Sequence, residues 1–284
     1  MLSYQHEYHA GNFADVHKHL CLRVLFESLL RKDKPFCYVD CHAGAGVYDL
    51  ACPEARRTAE FNAGIGRLWA HRTGSGPIAL TAYLQAVAAL NPDGELRHYP
   101  GSPALAGQWL RSQDKALLLE LHPQAQLALK ENLRGDSRFS THARDCYEGL
   151  PALVPPPIRR GLVLLDPSYE VKDEYRRIVA LTAAAFKRWD TASYAIWYPL
   201  LGAARHLELL SALERSGMPD ILVTELTVAG RNSPDGMYGS GLAIVNAPWQ
   251  TDQALAALLP AVADLLAPGA GAAQLRWLAG SQHG

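Results

Sequence analysis

Cysteine is sparse and shows no pairing pattern: there are five in 284 residues, an odd number, with no Cys-x-x-Cys spacing. This argues against a disulfide framework and for a reducing, cytoplasmic setting, where Cys21, Cys37, Cys41, Cys52 and Cys146 are most simply small buried hydrophobes. Long apolar runs are missing too. No stretch reaches the roughly 18 residues a membrane helix needs, and the Ala/Leu-rich tail 254–266 is broken by Pro260 and Asp264. The opening Met1-Leu2-Ser3-Tyr4-Gln5-His6 lacks the apolar core of a signal peptide. Nor is one charge in excess: 27 basic against 28 acidic residues leave a formal net charge of −1. A general polycation is excluded, although a local basic face could still grip a polyanion. Such clusters occur at Arg31, Lys32 and Lys34, at Arg159 and Arg160, at Lys172, Arg176 and Arg177, and at Lys187 and Arg188, each by default a solvated helix end or face. What is present is apolar material, 49% of the chain, enough for a full α/β core in one large domain or a domain with an insertion.

The most informative stretch is Leu162-Val163-Leu164-Leu165-Asp166-Pro167-Ser168-Tyr169. A buried strand ends in an acid, a proline that forbids further ladder pairing, and an aromatic ring. Ligands of open α/β sheets bind at the carboxyl ends of strands, so Asp166, Pro167 and Tyr169 are site candidates. A mere strand-terminating turn is the plainer alternative.

Other strand ends repeat the pattern. Phe36-Cys37-Tyr38-Val39-Asp40 runs into Cys41-His42-Ala43-Gly44-Ala45-Gly46, where glycines let the backbone turn tightly beside a nucleotide. The third glycine of the dinucleotide fingerprint is missing, so a dinucleotide is not the natural ligand. A ribose-binding acid is expected about 20 residues further on, but the next strong strand is Ala116 to Leu119, ending in Glu120. The simplest account of that displacement is a small helical insertion, residues 52–97, patterned as helices over Ala59 to Trp69 and Pro77 to Leu90. It interrupts a domain made of residues 1–51 and 98–284. A further strand near Ser140 to Ala143 leads to Asp145 and Cys146, and Tyr194 to Tyr198 is a fifth strand. Ile221 to Val228 and Gly241 to Asn246, with no helix between them, must pair antiparallel. Residues 268–273 are expected to fray. Upstream, a helix over Asn12 to Leu30 carries His17, Lys18 and His19. Adjacent helical positions do not face one another, and no carboxylate sits at a ligand spacing, so no metal is expected.

This order of strands and acids looks like the class I S-adenosylmethionine-dependent methyltransferase architecture. It is an α/β, Rossmann-like fold with a seven-stranded, mostly parallel sheet, an antiparallel last pair and, here, an inserted small helical subdomain. Asp166-Pro167-Ser168-Tyr169 then resembles the Asp/Asn-Pro-Pro-Tyr motif of amino-methyltransferases. An exocyclic adenine amine is a poor nucleophile because its lone pair is delocalised. A carboxylate and a backbone carbonyl that accept its two N–H groups favour the reactive amine and stabilise its developing charge. Tyr169 would give an extruded base a stacking face worth ~1–3 kcal/mol.

More specifically, Leu2-Ser3-Tyr4-x-His6-x-x-His9-Ala10-Gly11-Asn12-x-Ala14-Asp15-x-x-Lys18-His19, Asp40-x-His42-Ala43-Gly44-Ala45-Gly46, Tyr99-Pro100-Gly101-Ser102-Pro103, Glu120-Leu121-His122-Pro123 and Leu165-Asp166-Pro167-x-Tyr169 closely resemble the RlmJ family. These bacterial enzymes methylate N6 of one adenine in 23S ribosomal RNA. The resemblance implies S-adenosylmethionine contacts at His19, His42, Gly44, Ser102, Glu120, Asp145 and Cys146, with Lys18 beside them. It also implies catalysis at Asp166, with Pro167 and Tyr169 in the same turn, and RNA contacts at Tyr4 and His6. It further implies a cytoplasmic monomer acting on 23S rRNA before the ribosome is fully assembled. Cys146 and Ser168 depart from the family pattern. The amine needs only the carbonyl preceding Ser168, so activity should survive. The same motif also serves enzymes acting on DNA adenine or protein glutamine; the absence of an obvious DNA-recognition domain favours RNA. A non-catalytic RNA-binding module is opposed by the retained cofactor-binding acids.

Overall fold

The computed structural model describes residues 5–74, 76–231 and 236–279. Its elements begin with α1 (Phe13–Leu30), β1 (Cys37–Asp40), β2 (Val47–Asp49), α2 (Pro53–Thr58), α3 (Ile65–Trp69), α4 (Ile78–Ala89), β3 (His98–Pro100) and α5 (Ser102–Trp109). They continue with β4 (Lys115–Leu119), α6 (Pro123–Asn132), β5 (Phe139–His142), α7 (Cys146–Leu153), β6 (Gly161–Leu165) and α8 (Glu174–Arg188). The chain closes with β7 (Ala192–Leu201), α9 (His206–Glu214), β8 (Ile221–Thr227), β9 (Met237–Val245), α10 (Thr251–Leu266) and β10 (Ala272–Ala279).

The main sheet has the order β10-β8-β9-β7-β6-β1-β4-β5. Strands β5, β4, β1, β6 and β7 are parallel, and β9 enters antiparallel between β7 and β8. The connection from β1 leads to β4 on one side while β6 lies on the other, so the carboxyl end of β1 is the switch point where such sheets open a crevice. The central strands are buried on both faces, which their near-continuous apolar sequences require. One face packs against α1, α4, α5 and α10, the other against α7, α8 and α9.

The sheet has eight strands, one more than the sequence pattern indicates. The extra strand, β10, pairs antiparallel with β8 along Ala272–Ala279, and its first two residues fall in the stretch 268–273 that was expected to fray. Its alternation of exposed and half-buried residues marks an edge strand with one covered face. Between β1 and β4 the polypeptide runs through α2, a 3-10 turn over Glu60–Ala63, α3 and α4, bracketed by the antiparallel pair β2 and β3. The single helix expected over 59–69 is thus divided, because Ala59 adopts φ 52° and Gly64 leaves helical geometry. Ile65, Leu68, Tyr83 and Leu84 from this region share a core with Val16, Leu20 and Phe26 of α1.

Cys21, Cys37, Cys41 and Cys146 are buried free thiols; Cys52 is half-buried and its sulfur accepts from Ala55 N–H at the start of α2. Arg160 is not a solvated cation: its guanidinium donates to the Leu29 and Lys34 carbonyls, closing the end of α1. Among the described residues no helix is long and apolar enough to cross a membrane.

Candidate active site

The apolar run of β6 ends at Leu165 and places Asp166 at the sheet edge, beside the end of β1. The Asp166 N–H donates to Nδ1 of His42 at 3.1 Å, and its Oδ2 accepts from the Lys18 ammonium at 2.5 Å. Burial holds His42 neutral, its pKa pushed down to about 4, which leaves Nδ1 free to accept. Pro167 is buried and Ser168 half-buried. Tyr169 adopts φ 56°, a left-handed conformation unusual for an aromatic residue. Two contacts hold it there. Its hydroxyl donates to the Trp197 carbonyl at 2.6 Å, and its ring lies on Tyr175 with centroids 4.3 Å apart. The ring is therefore 8% exposed and backed by Tyr175, rather than standing open in solvent.

Around the next strand end, the turn after β1 is built for a close approach. Gly44 has φ 62°, and a Cβ there would lie 2.1 Å from the Tyr48 hydroxyl. Its N–H donates to Glu120 Oε2 at 2.8 Å, while Glu120 Oε1 accepts from His122 N–H at 2.6 Å. The displaced acid thus returns to the glycine turn. Asp40 is fully buried between the Tyr38 hydroxyl, Ser102 and the His42 N–H, and burial raises its pKa to about 6 against those hydrogen bonds. Ser102, 6% exposed, opens α5 there. Asp145 caps α7 by accepting from Tyr147 N–H at 2.9 Å, and Cys146 is buried behind it. Beside them, Tyr147 Oη and Glu174 Oε2 are buried without a hydrogen-bond partner among the described residues.

Hydrogen bonds and electrostatic coupling therefore bring Lys18, His42, Gly44, Ser102, Glu120, Asp145, Cys146 and Asp166 to one region. His19 is 1% exposed, its Nδ1 engages the Tyr99 hydroxyl at 2.8 Å, and burial lowers its pKa to about 3 while it feels the charges of Asp15 and Lys18. His6 joins from the N-terminal side through Asp15 at 3.0 Å. Tyr4 lies outside the described residues. Sequence reasoning missed the parts played by Asp15, Tyr48 and Trp197. Asp15 had a legible signal, since an acid three residues before Lys18 shares its helix face. Trp197, which lies over the Lys18 ammonium at 5.8 Å, had none beyond its place near a strand end.

The donor set suits S-adenosylmethionine. Glu120 offers carboxylate oxygens at the ribose position of the fold, the glycine turn exposes backbone, and Asp145 with the unpartnered Tyr147 hydroxyl adds polar groups along the same edge. Strand order and site together define a Rossmann-like methyltransferase.

The family model described as ribosomal RNA large subunit methyltransferase D, RlmJ, matches residues 33–279. The chain belongs to this family. A relative from Escherichia coli (strain K12), named ribosomal RNA large subunit methyltransferase J, is 42% identical over 279 residues, 98% of this chain and 99% of its own length. One of the same name from Haemophilus influenzae is 40% identical over 280 residues, again 98% and 99%. A crystal structure of a protein from Legionella pneumophila superposes with a TM-score of 0.88 at 33% identity, covering 96% of this chain and 99% of that one.

Proposed function

We propose that this protein methylates the N6 amine of an adenine in 23S rRNA, using S-adenosylmethionine. Family membership supports the large-subunit RNA as substrate. The observation that carries the chemistry is the Asp166 carboxylate, held by Lys18 through one oxygen at the edge of the sheet.

When bound, S-adenosylmethionine supplies an electrophilic methyl group on a sulfonium. Glu120, Gly44, Ser102, Asp145 and the backbone at Cys146 hold its adenosine and amino-acid parts, and His42 keeps the turn bearing Asp166 in register with β1. Asp166 accepts one N–H of the adenine amine and the Pro167 carbonyl the other, so the nitrogen lone pair is aimed rather than spread into the ring. Lys18 balances the carboxylate's charge in a site largely closed to water. Tyr169, braced from behind by Tyr175, is the wall on which the base packs. Residues 52–97 form an inserted helical subdomain that walls the RNA side, with His6 and Tyr4 contacting RNA from the N-terminal segment. The protein acts as a cytoplasmic monomer on rRNA not yet assembled into a complete ribosome.

A methyl-transfer assay that offers protein-free large-subunit rRNA, duplex DNA and a protein substrate side by side tests this reading. Label is expected on the rRNA alone. Label on DNA or protein but not RNA overturns it.

A further inference from the structure

Asp15 sits in the first turn of α1 and is 3% exposed. Asn12 caps that turn by accepting from the Ala14 and Asp15 N–H groups, which fixes the backbone from which the Asp15 carboxylate projects. Each carboxylate oxygen has a different task. Oδ2 accepts from the Gly11 N–H at 2.9 Å and pairs with His6 Nε2 at 3.0 Å. Oδ1 accepts from the Lys18 ammonium at 2.8 Å, and the same ammonium donates to Asp166 Oδ2 at 2.5 Å.

A lysine ammonium on a four-carbon stem has three donors and little intrinsic directionality. Here two donors go to two carboxylates, and the Trp197 ring lies 5.8 Å away. Lys18 is therefore aimed by Asp15 from one side and engages Asp166 from the other. Burial disfavours the charged lysine, but the two acids outweigh it and hold the ammonium fully protonated.

We infer that Asp15 is a positioning residue for methyl transfer. It pins Lys18 so that the ammonium occupies one oxygen of Asp166 and leaves the other for the substrate amine, and it ties this alignment to residues 6–11. The inference rests on the proposed reaction. With Asp15 neutralised, Asp166 is the one carboxylate among the described residues still paired with Lys18, and the ammonium is free to draw towards both of its oxygens and compete with the amine. The loss is expected in turnover rather than in cofactor affinity, because none of the hydrogen bonds of Glu120 and Gly44 involves Asp15.

The test is a double-mutant cycle over Asp15→Asn, Lys18→Met and the pair, with kcat on rRNA, cofactor dissociation constant by calorimetry and thermal melting measured for each protein. Asp15→Asn should lower kcat at least tenfold with cofactor affinity within about threefold of the parent, and the double variant should be no slower than Lys18→Met alone. Multiplicative losses in the double variant, a kcat within twofold of the parent, or a rate loss that merely tracks unfolding or lost cofactor binding each overturn the inference. A parent protein that transfers no methyl to RNA overturns the proposed reaction and this inference together.

Discussion

Lys18 shows how much a single residue's meaning depends on its neighbours. As a sequence feature it is a lysine between two histidines; in the fold it is 4% exposed, and Asp15 and Asp166 flank it and hold its charge against burial. Breaking such a pair from one side leaves an uncompensated buried charge. Asp166→Asn keeps the shape of the turn but removes the anion, so kcat should fall by ~10²–10³, the scale of losing one charge-stabilising group in a closed site. Steady-state kinetics with a parallel calorimetric titration checks this, with cofactor affinity expected to stay near the parent's. Glu120→Gln should do the opposite. With a single acceptor oxygen left for two backbone N–H groups and the ribose, cofactor affinity should weaken by about 10- to 100-fold, the equivalent of one or two charge-assisted hydrogen bonds, while kcat at saturating cofactor changes little. Asp166, Glu120 and Gly44 were legible in the sequence because strand ends converge in any parallel sheet. Tyr48 and Trp197 were not, since a ring beneath a glycine turn or beside a lysine is set by tertiary packing that no local pattern encodes.

Among the elements, the central strands and α1 could be read directly, from continuous apolar runs in the first case and from the Asn12 cap with its apolar stripe in the second. The edge strand β10 was hidden because a strand half-covered on one face carries a weak alternation, placed here after a Gly/Pro-rich turn. Likewise β2 and β3 are three residues each, too short for periodicity to register. The segment between them touches the N-terminal region at a backbone crossing. Ile65 N–H donates to the Gly11 carbonyl at 2.8 Å, and Glu60 receives His9 and the Asn12 amide, both at about 3 Å. The crossing admits no side chain at Gly64, whose Cβ would stand 2.0 Å from the Gly11 carbonyl oxygen. Gly64→Ala must therefore push the two segments apart. A loss of ~1–3 kcal/mol, the usual range for overpacking, is expected in urea unfolding, along with weaker RNA binding and nearly unchanged cofactor affinity. Parent-like stability would show that the contact is slack.

For the whole molecule, the buried histidines set a pH limit. Burial holds His17 and His19 down to about 3 and His42 to about 4, against an ordinary value of 6.5. The unfolded chain therefore takes up protons between pH 6.5 and about 4 that the folded chain refuses, so the stability these residues contribute is present above 6.5 and lost as pH falls. Asp40, raised to about 6, works the other way: the folded state binds its proton first, and acidification through 6 offsets part of the loss. Three histidines against one acid leave a net decrease of about 4 kcal/mol between pH 7 and 5, measurable as a lower urea midpoint; a midpoint unchanged over that range contradicts this balance of buried groups. The same closed interior encloses the Lys18–Asp166 pair, whose side chains are 5% and 15% exposed, at the place where the proposed reaction needs an adenine amine to arrive. The most direct test of that role is to incubate the protein with protein-free large-subunit rRNA and S-adenosylmethionine and to identify the modified nucleoside by mass spectrometry. N6-methyladenosine, formed by the parent and almost abolished by Asp166→Asn, is the predicted result. A methyl group on another nucleoside, or one whose appearance does not depend on Asp166, would contradict it.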